Sequence, residues 1–117
     1  MLSFSGGLRV FVAIDPCDMR KGFNGLYALV TERLGEEPRN GALFVFTNRR
    51  RNRLKILFWD RTGLWVCNKR LEEGTFSWPP AREPGQLKIS LTPEALSMLT
   101  DGVDLRGAKL RPWYQRE

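Results

Sequence analysis

The chain contains no histidine and only two cysteines, Cys17 and Cys67, too far apart for a Cys-x-x-Cys pair. Histidine is the commonest general base and a usual metal ligand, so its absence removes that base and the imidazole ligands from consideration. A structural zinc site needs about four sulfur or imidazole ligands, more than one copy of this chain holds. No Gly-rich phosphate loop joins a strand to a helix, and Asp15, Asp18, Asp60, Asp101 and Asp104 sit where caps and turns belong. Cys17 lies near an expected helix start, a position that lowers a thiol pKa, but it has no histidine to activate it. No run approaches the ~20 apolar residues of a membrane span. Met1–Gly7 lacks the charged and apolar regions of a secretory signal. The expectation is a cytoplasmic protein with reduced thiols, no metal, no cofactor, no membrane association and no catalytic residue.

What the chain has in excess is positive charge, +6 over 117 residues. Residues 39–61 hold Arg39, Arg49, Arg50, Arg51, Arg53, Lys55 and Arg61 against one acid, Asp60, and carry the whole excess. The twelve basic and twelve acidic residues elsewhere cancel. Such focusing is the electrostatic footprint of a polyanion site. The length fits a single domain, 1–117, with an ordered core over about 9–102. Residues 103–117 read as a basic tail bearing Arg106, Lys109, Arg111 and Arg116.

Hydrophobic patterning predicts an α+β fold, an antiparallel β-meander sheet packed with a long N-terminal helix and a shorter C-terminal one, both on one face. Strands are expected at 9–14, 42–47, 53–59, 64–71, 75–78 and 87–91, where β-branched and aromatic residues gather between turn residues. Leu54, Ile56 and Phe58 alternate on one face of the third. The long helix is expected over about 16–34, capped by Asp15 or Asp18, with Met19, Phe23, Leu26, Val30 and Leu34 as its apolar stripe and Gly35 as its end. The second begins at Thr92-Pro93 and stops at Gly102.

The turn Asn48-Arg49-Arg50-Arg51-Asn52-Arg53, with Lys55 just beyond, places five cations in seven positions without an acid. Arginine dominates there, and its planar fork suits phosphate oxygens and guanine edges. Arg20 and Lys21, in the expected first turns of the long helix, offer a second cationic contact, and Arg61 a third. Trp59 and Trp65 lie beside the basic turns and suit stacking on unpaired bases. Each feature also has a plain structural reading: a solvated loop, exposed helix residues paired with acids, and core aromatics.

These residues fall into blocks that together resemble a known family. Asp18-Met19-Arg20-Lys21-Gly22-Phe23-Asn24-Gly25-Leu26 is similar to a signature of the small accessory proteins of IS-66 insertion sequences. Leu43 to Lys55, Leu57-Phe58-Trp59-Asp60-Arg61-Thr62-Gly63 and Lys69 to Pro79 continue the resemblance in order, over roughly residues 9–100. The mild departure is Cys67-Asn68, where bulkier residues are common. The resemblance implies a second-reading-frame protein, often labelled TnpB and unrelated to the RNA-guided nucleases of that label. Such proteins accompany a separate, larger transposase that cuts and joins DNA, and no catalytic residues are established for them. The expected function is therefore non-catalytic assistance to transposition by binding DNA at the element ends, with the transposase and other proteins of the element as partners. Two alternatives stand beside it: docking on the transposase without touching DNA, and binding single-stranded nucleic acid.

Overall fold

Five of the expected runs form strands within a residue or two of their predicted bounds, and they join one sheet. The computed structural model describes residues 7–102, so the expected basic tail lies outside the described residues. The elements are β1 (Val10–Ala13), α1 (Phe23–Glu32), a short 3-10 helix (Pro38–Asn40), β2 (Leu43–Thr47), β3 (Arg53–Trp59), β4 (Leu64–Arg70), β5 (Lys88–Leu91) and α2 (Pro93–Thr100). The sheet order is β4-β3-β2-β1-β5.

The sheet is mixed, not a pure meander. β2, β3 and β4 are antiparallel neighbours, but β1 runs parallel to β2 and antiparallel to β5. The physical reason is the connection: β1 reaches β2 through α1, and a helical crossover is what lets consecutive strands lie parallel. β2 is buried along its whole length, as befits a central strand covered on both sides.

The helices take opposite faces, which corrects the one-face expectation. Leu26 and Val30 of α1, with Leu34 beyond its end, pack on Ala13, Phe44, Phe46 and Leu57. Ala95, Leu96 and Leu99 of α2 pack on Val10, Val12, Leu43, Val45, Leu54 and Ile56. The period-two alternation of β3 assigns its residues accordingly: Leu54, Ile56 and Phe58 to the α2 side, Arg53, Lys55, Leu57 and Trp59 to the α1 side. No helix among the described residues is long and apolar enough to cross a membrane.

The N-terminal helix is shorter than expected and begins at Phe23, with Gly22 as N-cap and no side-chain cap. Asp15 and Asp18 do not cap it. Asp18 Oδ1 accepts the Arg20 amide at 2.8 Å, and the Asp18 carbonyl accepts the Lys21 amide at 3.1 Å. These local bonds give the backbone an alternative to the helix. Cys17 is also engaged elsewhere, its amide bonded to the Thr47 carbonyl at 2.9 Å. Phe23, expected in the apolar stripe, is 52% exposed. By contrast α2 starts as expected, with Thr92 Oγ1 accepting the Ala95 amide at 3.0 Å.

Residues 75–78 form no strand. They lie across the α2-side core, where Phe76 and Trp78 are buried. The Trp78 indole donates to the Ala13 carbonyl at 2.9 Å, and the Phe76 amide bonds the Arg51 carbonyl. The segment thus ties the β2–β3 turn to the α2-side core through one backbone bond.

Candidate nucleic-acid interface

The β2–β3 turn is held by two asparagines. Asn48 Oδ1 accepts the amides of Asn52 and Arg53, each at 3.1 Å, and the Asn48 side-chain amide donates to Asn52 Oδ1 at 2.7 Å. The Arg51 amide closes the turn on the Asn48 carbonyl at 3.0 Å, and Thr47 Oγ1 donates to the Arg53 carbonyl at 2.8 Å. The Asn52 carbonyl accepts the Leu71 amide at 2.9 Å, which ties the turn to the end of β4. The backbone at 48 and 51–53 is thus pinned within the turn, and the side chains of Arg49, Arg50, Arg51 and Arg53 are exposed. None of the four pairs with an acid among the described residues. Arg51 sits at φ 58°, in the left-handed region that glycine and asparagine prefer.

Lys55 does not join that exposed set. It is only 9% exposed, and its Nζ donates to the Lys21 carbonyl at 2.7 Å. The same bond locates the Asp18–Lys21 segment: it lies on the α1 side of the sheet, beside the end of β2 that leads into the arginine turn. Arg20 and Lys21 are thus near the turn, but they precede α1 instead of forming its first turns. Arg20 is 91% exposed yet already engaged, its guanidinium on the Asp18 carboxylate at 2.7 Å. That hydrogen bonding holds Asp18 down at a pKa of about 2.

The opposite end of β3 is a different place, about 20 Å away at the usual rise per residue. Arg61 and Trp59 are found there, so the cationic segment that is continuous in sequence is divided in space. Arg61, at φ 88°, heads the β3–β4 turn. Asp60 anchors this turn: its carboxylate accepts the Thr62 amide and hydroxyl, the Gly63 amide and, at 2.6 Å, the Trp65 indole. The Trp65 bond is the largest cause, with the Thr62 bonds next, of an Asp60 pKa lowered to about 2. Trp65 stacks on its cross-strand partner Phe58, centroids 6.0 Å apart, and is 52% exposed. Trp59 faces the α1 side under the Arg39 guanidinium, 5.0 Å from the ring centroid. The two tryptophans therefore lie on opposite faces and do not form one stacking surface.

One residue at the site was missed in the sequence. The register places Arg70 of β4 directly across from Arg53, and both are exposed. A like-charged pair in this position is destabilising, on the order of 0.2–1 kcal/mol. Counting outward from the tight turn at 60–63 pairs 59 with 64 and so 53 with 70, a signal the sequence already contained.

The remaining candidates are structural. Cys17 and Cys67 are free thiols. Burial pushes the Cys17 thiol up, the reverse of the lowering expected at a helix start, because α1 begins six residues later. Two lysines reach across to helix ends: Lys69 Nζ to the Thr100 carbonyl at 2.6 Å, and Lys88 Nζ to the Leu34 carbonyl at 2.6 Å and to Glu36 at 2.7 Å. No group of three potential metal ligands gathers among the described residues.

Comparison with known proteins covers nearly the whole chain. It is 42% identical over 112 residues to the uncharacterized protein y4jC of Sinorhizobium fredii, spanning 96% of this chain and 93% of that one. It is also 42% identical over 106 residues to y4hO of the same organism, again uncharacterized, spanning 91% and 90%. No solved structure matches it. The family described as IS66 Orf2 like protein matches residues 8–110, and the chain belongs to that family.

Proposed function

We propose that this protein is a non-catalytic accessory factor of an IS66-type transposition system that binds DNA through the β2–β3 turn and assists a separate transposase. The family supports the transposition setting. The observation that carries the DNA reading is the turn itself: four exposed arginines, none paired with an acid among the described residues, on a backbone pinned by the Asn48 side chain. A solvated loop needs no such scaffold. A rigid cationic tip at the end of a two-stranded ribbon suits contact with a duplex backbone or groove. Arg20 and Lys21 lie on the flank of this tip, and Arg61 at the far end is outside it. The proposed setting is the cytoplasm, where DNA is available and thiols stay reduced.

The test is fluorescence anisotropy on duplexes carrying the element ends, from low to moderate salt. Binding by the turn predicts a log–log salt slope of about −0.9 per phosphate contact. An Arg49/Arg50/Arg51→Ala triple variant is expected to lose about two to three units of slope and at least tenfold in affinity. A triple variant that binds as tightly as the parent, with the same slope, overturns the reading.

A further inference from the structure

The geometry points to Arg53 and Arg70 as a two-arginine clamp for a single backbone phosphate of nucleic acid, a site formed only when β3 and β4 pair. This rests on the DNA reading above and extends it from the turn onto the α1 side of the β3–β4 hairpin. The two residues are directly opposed in register and so project from the same face. Directly opposed side chains in an antiparallel pair start about 5 Å apart, within reach of one shared anion. Arg53 has no ion pair among the described residues, and Arg70 meets only Glu72, at 3.5 Å with both side chains largely exposed. Solvent screens such a pair, which leaves the positive charge of the two side chains only weakly compensated.

The surroundings point the same way. The next α1-side residue along β3, Lys55, withdraws its ammonium onto the Lys21 carbonyl and leaves Arg53 and Arg70 as the exposed cations between it and the tip. The Asn48 side chain fixes the Arg53 amide, so the clamp has a defined position relative to Arg49, Arg50 and Arg51. A phosphodiester carries one negative charge with two free oxygens, and a pair of guanidinium forks can bind both.

The experiment uses the full chain, the element-end duplex and, separately, inorganic phosphate. Arg70→Gln is expected to weaken duplex binding about tenfold and to flatten the salt slope by about one unit. Arg9→Gln removes the same charge from the exposed residue that precedes β1, at the other end of the sheet, and is expected to change affinity less than twofold. Because both arginines hold one phosphate, Arg53→Gln/Arg70→Gln is expected to lose little more than either single variant. Without DNA, Arg70→Gln is expected to melt higher than the parent, since a repulsion is removed. Equal losses for Arg70→Gln and Arg9→Gln, or strictly multiplicative losses in the double variant, overturn the clamp while leaving duplex binding by the turn in place. Stabilisation of the parent by inorganic phosphate with no duplex binding overturns both the clamp on nucleic acid and the reading it rests on.

Discussion

The two turns that bracket β3 each hold an arginine in the left-handed region, Arg51 at φ 58° and Arg61 at φ 88°, but their surroundings differ. At the β3–β4 turn a carboxylate does the organising. Asp60 binds two backbone amides, a hydroxyl and an indole, and sets one negative charge beside Arg61. At the β2–β3 turn neutral amides do the same work, Asn48 and Asn52 closing the loop with no acid in it. An aspartate at position 48 would accept the same two backbone bonds and would partly neutralise the arginines. The neutral clamp closes the turn without an acid and keeps its positive field intact, which is the arrangement a polyanion site needs.

The largest effect is expected from removing the Asn48 side chain that closes the β2–β3 turn. Asn48→Ala deletes three hydrogen bonds and is expected to destabilise the fold by about 1–2 kcal/mol. It is also expected to weaken duplex binding although every arginine remains. Urea denaturation and anisotropy on one sample check both, and full-strength binding by the variant would mean that charge alone matters. A smaller effect separates the two arginines. Arg51→Gly and Arg61→Gly each relieve a left-handed backbone and are expected to stabilise by about 0.5–1 kcal/mol. Only Arg51→Gly should cost affinity; equal losses from both would erase the distinction between the tips. The smallest effect is in pH. The Asp60 carboxyl is lowered from 3.8 to about 2 in the folded protein, so the stability it contributes is present above pH 4 and is lost as pH falls toward 2. The Trp65 indole N–H resonance is expected to titrate in that window. The Asn48 side-chain amide resonances, bonded to an amide partner, should not follow the same curve.

Much of this was legible in the sequence. Strands rich in Val, Ile, Phe and Leu between turn residues fall where expected, and Thr92-Pro93 marks the start of α2, because these signals are local. What was not legible depends on distant partners. The parallel pairing of β1 with β2 is set by where α1 packs, and nothing in residues 10–13 states it. The segment 16–22 reads as helix by composition, but Asp18 closes a local turn and the Thr47 carbonyl captures the Cys17 amide. Phe76 and Trp78 look like strand residues and are instead core plugs, since their neighbours Pro79 and Pro80 cannot continue a ladder. The arginine turn was visible at once as a candidate site. Its division from Arg61, the withdrawal of Lys55 and the arrival of Arg70 are consequences of strand length and register.

Lys55, Lys69 and Lys88 all end on main-chain carbonyls, at Lys21, Thr100 and Leu34. Lys21 is the other lysine among the described residues. Amine-reactive reagents would accordingly report on this protein in an uneven way. Labelling at positions 55, 69 and 88 would register loosening of the Asp18–Lys21 segment and of the two helix ends from the sheet, whereas Lys21 stands beside the proposed interface. Footprinting of nucleic-acid contacts on this scaffold therefore calls for arginine-selective dicarbonyl chemistry, with lysine modification serving as the measure of intactness.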